Sequence, residues 1–165
     1  MNQDWERRDS YKKQTIAIKH LLQRYHESRG NVFCLECRNG SSSPQNPEDT
    51  RILDAWAMKP SFVSLTTYGY EIKVARSDFK GDNKWRNYLK YCSFFYFVCP
   101  KGLVTLDEIP DEAGYIEVSK NFKCLYRRRR PPRRPIEEPI GMYKYLLINR
   151  AKIDNVNVGL GLGRW

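Results

Sequence analysis

Residues 51–58 read Arg-Ile-Leu-Asp-Ala-Trp-Ala-Met, and residues 68–75 read Tyr-Gly-Tyr-Glu-Ile-Lys-Val-Ala. Both have the two-residue alternation of a strand, with Ile52, Asp54, Trp56 and Met58 on one face of the first. Asp54 is therefore an acid set mid-strand among apolar neighbours, a costly placement unless something pairs with it. On the second segment Glu71 and Lys73 share a face, two residues apart. If the two strands are neighbours, Asp54, Glu71 and Lys73 converge. Two carboxylates in that position repel, and a hard divalent cation such as Mg²⁺ or Mn²⁺ resolves the repulsion through oxygen ligands, to which the Ile72 carbonyl can add. An ion held there polarises a phosphodiester and acidifies a bound water. Lys73 is placed to orient or deprotonate that water, or to neutralise charge building on the phosphate.

Outward from these strands the pattern is mixed. Residues 9–28 carry Tyr11, Ile18, Leu21, Leu22 and Tyr25 on one helical stripe, and Gly30 suits the C-terminal cap. A first strand covers 31–37. Residues 38–50 contain no apolar side chain and read as a long mobile loop. Ser77-Asp78 opens a helix over 79–91 that carries Trp85, Tyr88 and Leu89. Residues 93–99 are nearly all apolar, the mark of a central buried strand. A short strand at 114–118 pairs with 122–126 as a hairpin, and Pro139 opens a last helix with Ile140, Tyr143 and Leu147 at helical spacing. The glycine-rich tail, 154–165, reads as loose. The expectation is one α/β domain over 1–165: a central mixed sheet of four to five strands flanked by helices.

The 165 residues hold 29 Lys+Arg against 19 Asp+Glu, a net charge of +10. Six of those arginines are Arg127, Arg128, Arg129, Arg130, Arg133 and Arg134, within an Arg/Pro-rich basic segment at 127–135. Its density makes it self-repelling and its prolines deny it helix, so it reads as a solvated arm that grips phosphates. The charge points to an anionic partner, nucleic acid before membrane surface. No apolar run approaches a membrane span, and the charged N-terminus lacks a signal-type apolar region, which together predict a cytoplasmic protein. Five cysteines, an odd number, read as reduced packing residues. Cys34 and Cys37 form a C-x-x-C pair, but residues three apart in a strand point to opposite faces, poor geometry for a metal. No nucleophile elbow, Walker sequence or dinucleotide fingerprint is present, and His20 reads as a surface histidine.

Asp54, a gap, then Glu71-Ile72-Lys73 on successive strands resembles the PD-(D/E)XK nuclease superfamily. The likeness extends through Ser77-Asp78-Phe79, Asp82, Lys84-Trp85, Tyr88, Tyr91-Cys92, the 95–100 strand and Gly114-Tyr-Ile-Glu-Val, and resembles the MmcB-like DNA-repair branch from about residue 10 to 152. The bare motif is weak, since Asp82-Asn83-Lys84 matches it too without strand context. Leu53 stands where the superfamily often has Pro, and the 38–50 loop is longer than the branch usually shows.

This resemblance implies a restriction-endonuclease-like core and a metal-dependent deoxyribonuclease, with Asp54 and Glu71 on the metal and Lys73 beside the reacting phosphate. Many superfamily members add a helix Glu; Glu27 on the helix and Glu36 on the first strand are the candidates. Arg76, Ser77, Lys80, Lys84 and the arginines of 127–134 are the candidate DNA contacts, while Tyr68, Tyr70, Tyr88 and Tyr91 could stack on unpaired bases or fill the core. DNA is the expected partner ahead of RNA, with no membrane and with a homodimer or protein partner left open. The rival reading is a non-catalytic nucleic-acid-binding or interaction module on the same fold.

Overall fold

The structure, a computed structural model, describes residues 2–39 and 51–150. The expected loop beyond residue 39 and the expected loose tail lie outside these residues. Helix α1 (Asn2–Glu27) leads into strands β1 (Val32–Arg38), β2 (Ile52–Met58) and β3 (Thr67–Ile72). A short helix α2 (Arg76–Gly81) and a 3-10 helix (Trp85–Tyr91) precede β4 (Phe94–Pro100). Strands β5 (Gly114–Val118) and β6 (Leu125–Arg129) follow, then α3 (Ile140–Asn149). The six strands lie side by side in chain order. The β1–β2, β2–β3 and β5–β6 pairs are antiparallel, whereas β3–β4 and β4–β5 are parallel. No helix among the described residues is long and apolar enough to cross a membrane.

The sheet has six strands rather than four to five: the hairpin return is a full edge strand, and it lies at Leu125–Arg129 rather than 122–126. Tyr126, Arg127 and Arg129 are all in register with β5, so half of the arginine run is an edge strand and not a free arm. Charged side chains suit that position, since they deter pairing with another chain along the open edge.

The predicted helix over 79–91 is also different: it breaks into α2 and the 3-10 helix. Asp82 causes the break. Its Oδ1 accepts the backbone N–H groups of Lys84 and Trp85 at 2.8 and 3.3 Å, a local bond that competes with helix continuation, and Gly81 before it weakens the helix further.

Hydrophobic packing occupies both faces. On one, Ile18 and Leu22 of α1 pack on Ala55, Tyr70, Ile72 and Tyr96. On the other, Trp85 and the chain after β4 pack on Phe95, Phe97 and Tyr115, and Met142 of α3 on Trp56 and Leu53. The central parallel strand β4 is buried on both sides, which accounts for its continuous apolar sequence.

Gly30 has a φ of 66° and its N–H bonds to the Glu27 carbonyl, closing α1 as its position predicted. The C-x-x-C pair departs from expectation. Glu36 takes a φ of 49°, which breaks the alternation of β1, and Cys34 and Cys37 both enter the cluster around Trp56. The break is shared by β2, where Leu53 and Trp56 enter one cluster although Asp54 and Ala55 lie between them.

Candidate active site

The site forms where the β2–β3 ladder opens. Ala55 pairs with Tyr70, but one step on, Asp54 and Glu71 face each other without completing the pair. The Ile72 N–H instead donates to Asp54 Oδ2 at 2.7 Å, so a side-chain carboxylate takes the place of a strand carbonyl. The same level of the sheet is irregular in β1. The register carries Leu35 to Ala55 and Cys37 to Leu53, which sets Glu36 opposite Asp54. Glu36, Asp54 and Glu71 thus occupy one row across three strands. Glu36 is exposed and ion-paired with Lys19 of α1. Glu27, the other candidate acid, is exposed and accepts from Gln23 at 2.7 Å on its own helix. Register places the Glu36 backbone in the row with Asp54, while its side chain pairs with Lys19 of α1; Glu27 lies on the helix, outside that row.

Glu71 is buried on the face of α2 and the 3-10 helix. Its Oε1 accepts from Lys73 Nζ at 3.0 Å, while Oε2 is buried with no hydrogen-bond partner. Burial and then the Asp54 charge push its carboxyl up to about 8, against the pull of Lys73. Burial likewise raises Asp54, against the Ile72 N–H. Two buried carboxylates facing each other repel when both are ionised. The pair therefore favours a shared proton or a cation between its oxygens.

Lys73 is held on three sides: Glu71 at 3.0 Å, Asp82 at 2.8 Å and Asp78 at 3.6 Å. Burial works against its charge, but Glu71 and Asp82 outweigh burial and raise it above the ordinary lysine value. Lys73 is thus an ammonium, which suits it to neutralise charge and not to deprotonate water. Asp82 holds Lys73 with Oδ2 while Oδ1 ends the helix, so the residue that matched the motif without strand context is part of the site's electrostatics. In the sequence it also stands in a Gly-Asp-Asn stretch inside an otherwise helical run. Tyr88 lies within reach of the same charges. Burial and then Glu71 and Asp82 push its phenol up to about 12, keeping it a hydrogen-bond donor.

The remaining predicted contacts divide. Ser77, Lys80 and Lys84 are exposed on the segment beside the site. Arg76 is tied to the Leu103 carbonyl and to Glu108. In the arginine run Arg128 pairs with Glu117, Arg129 donates to the carbonyls of Ile109 and Ala113, Arg134 to that of Glu112, and Arg133 to that of Leu65 at 3.3 Å. Those bonds are architectural. Tyr91 accepts from Asn39 through its hydroxyl and from Trp56 through its carbonyl. Tyr68 and Tyr70 face α1, on the opposite side of the sheet from Glu71. Only Tyr88 of the predicted tyrosines therefore faces the carboxylates.

Among the described residues no group of three or more His, Cys, Asp or Glu side chains is arranged to hold a metal. The two-carboxylate donor set, with Glu71 Oε2 lacking a partner, fits the mode in which Mg²⁺ takes one or two carboxylates and completes its shell with waters and phosphate.

Residues 58–135 match the profile of the DNA repair protein MmcB-like family. That span contains Glu71, Lys73 and Asp82, and leaves α1, Glu36 and Asp54 outside it. Among solved structures, the chain resembles a protein of unknown function from Silicibacter pomeroyi, with a TM-score of 0.58 and 16% identity over 78% of this chain and 82% of that one. At that identity the likeness concerns the fold alone. No curated protein matches the sequence.

Proposed function

We propose that this chain is a Mg²⁺- or Mn²⁺-dependent nuclease that hydrolyses phosphodiester bonds of DNA in a repair context, on a restriction-endonuclease-like core. The observation that carries the reading is the buried, partnerless Glu71 Oε2 across from Asp54, with the Lys73 ammonium beside it. The match to a DNA-repair family over the same strand and helix supports DNA as the substrate.

Asp54 and Glu71 would hold the ion, and the Ile72 carbonyl at the end of β3 could add a ligand. A bound divalent ion supplies Lewis acidity toward the phosphate and acidifies a water. The chain's own residues do the rest. The Ile72 N–H orients the Asp54 carboxylate at 2.7 Å. The Lys73 ammonium, 3.0 Å from Glu71, would stabilise the charge that builds on the attacked phosphate. Asp82 and Asp78 keep Lys73 charged and extended toward Glu71. Tyr88 offers a hydroxyl proton from the same wall. Lys80 and Lys84 add positive charge along the approach, where a DNA backbone releases counterions on binding.

The test is cleavage of a panel of single strands, duplexes, flaps and junctions with and without Mg²⁺ or Mn²⁺, using wild type, Asp54→Asn and Glu71→Gln. Metal-dependent cutting that disappears in both variants is the expected result. Salt-sensitive DNA binding with no cutting under any metal condition would replace the reading with a non-catalytic binding module on this fold. Preferential cutting of matched RNA would replace DNA as the substrate.

A further inference from the structure

The face of the sheet turned away from Glu71 holds a second feature. Between the end of α1 and strands β3 to β6 lies a cavity of about 460 Å³, within the size range of ligand pockets. Its floor is a ladder of rings from neighbouring strands in register. Tyr68 stacks on Phe94 with centroids 5.6 Å apart and planes at 20°, and Tyr70 on Tyr96 at 5.7 Å and 17°. Buried His26 accepts or donates a 2.7 Å hydrogen bond with the Tyr70 hydroxyl and is bonded in turn by Asn31, which fixes the ring at the base.

Guanidinium groups form the rim. Arg29 comes from the turn after α1, Arg127 from β6, and Arg130 from the segment beyond it. Arg130 lies over the Phe94 ring at 5.1 Å, and Arg127 reaches the Tyr96 hydroxyl. No acidic side chain lines the cavity among the described residues. This separates Arg127 and Arg130 from their neighbours in the run: Arg128, Arg129 and Arg134 bond to Glu117 and to backbone carbonyls, whereas these two face an aromatic cavity.

We propose that this cavity is a binding site for one unpaired nucleotide of a DNA single strand, its base against the tyrosine wall and its phosphates on Arg29, Arg127 and Arg130. A base offers a flat π-face that stacks on an aromatic side chain whatever its identity, and the flanking phosphates supply the negative charge the rim lacks. A duplex buries its bases, so the pocket discriminates in favour of single-stranded or extruded nucleotides. The site extends the DNA reading above, but it stands on the other face of the sheet and involves none of the proposed metal ligands. The two therefore fail separately.

The test is equilibrium binding in EDTA, where no metal-dependent cutting occurs. Fluorescent single-stranded and duplex oligonucleotides of equal length are titrated against wild type, Arg127→Gln/Arg130→Gln, Tyr68→Leu, and Lys12→Gln/Lys101→Gln as a control with the same charge change. Wild type is expected to prefer the single strand. Arg127→Gln/Arg130→Gln should weaken single-strand binding at least 10-fold and flatten its salt dependence, and Tyr68→Leu should weaken it about 5- to 50-fold. The control should change it less than threefold. A single strand carrying 2-aminopurine should change its fluorescence on wild type and not on Tyr68→Leu.

Unchanged single-strand binding by folded Arg127→Gln/Arg130→Gln overturns the proposal. So does an equal loss in the control, or an equal loss of duplex and single strand, because each marks general backbone attraction. Competition by free mononucleotide at concentrations below those of the oligonucleotide would also overturn it, in favour of a free-nucleotide site. Asp54→Asn binding single strands as wild type does, in a protein that never cuts, would retain this site and remove the nuclease reading.

Discussion

The two faces of the sheet answer negative charge in opposite ways. On the side of α2 and the 3-10 helix, Glu71, Asp78 and Asp82 pair with the Lys73 ammonium and Asp54 faces Glu71, so the local balance asks for a cation. On the side of α1, three guanidinium groups rim a cavity of aromatic rings, so the local balance asks for an anion. Strand β3 supplies both. Its even-numbered residues, Tyr68 and Tyr70, turn to one side and Glu71 to the other. The pleat of one strand thus separates a proposed chemical site from a proposed recognition site by the thickness of the backbone. A net charge summed over the chain conceals this arrangement entirely.

The largest effect that would test the contrast is chemical. Asp54→Ala or Glu71→Ala should lower metal-dependent DNA cleavage by at least about a thousandfold while single-strand affinity stays within about threefold; parallel loss of both would mean that the faces are not separate. Next comes the pH dependence of the aromatic side. Burial and then the nearby Arg29 bring His26 down to about 4, so it is neutral in the folded protein. Its contribution to stability is complete above about 6.5 and declines as the pH falls toward about 4, by up to roughly 3 kcal/mol. Denaturant unfolding of wild type and His26→Gln between pH 4 and 7 measures it, and equal slopes in the two proteins would remove His26 from the account.

A packing effect of similar size joins the faces. A Cβ at Gly69 would lie 2.8 Å from both the Cys92 Sγ and the Leu53 Cδ2. Gly69→Ala should therefore cost about 1–3 kcal/mol, measured by urea unfolding. Smaller still, Glu71→Gln should stabilise the metal-free protein at pH 8 by about 1 kcal/mol, because removing a buried carboxylate charge facing Asp54 outweighs the weakened Lys73 bond. The same variant should lose any rise in melting temperature on adding Mn²⁺. A Glu71→Gln protein that melts lower than wild type in EDTA would show that the carboxylate is satisfied in some other way.

Much of the strand order is legible in the sequence. Strands β2 to β5 announce themselves through alternation or continuous apolar sequence, and the acids on β2 and β3 stand out because an unpaired carboxylate does not belong in such strands. What escaped the sequence depends on partners distant along the chain. The break at Asp82 owes half its reason to Lys73, nine residues earlier on another element. The place of Glu36 opposite Asp54 needs the β1–β2 register, which no local pattern carries. Cys34 and Cys37 share a cluster only because Glu36 adopts a left-handed backbone, and nothing in Leu-Glu-Cys demands that conformation. The arginines looked like a free arm because their charge masks the hairpin partner that recruits them into the sheet. The tyrosine positions do not tell which rings face the acids and which face α1.

Asp54 accepts the Ile72 amide proton that a strand carbonyl would otherwise accept. Sheet continuity and site occupancy are therefore read by one proton. Any group that draws electron density from Asp54, or turns its carboxylate, alters the acceptor at Ile72. The Ile72 amide resonance then shifts, and its exchange with solvent deuterium quickens if the bond is lost. The fold contains its own spectroscopic gauge of the site, one that needs neither substrate nor turnover to be read.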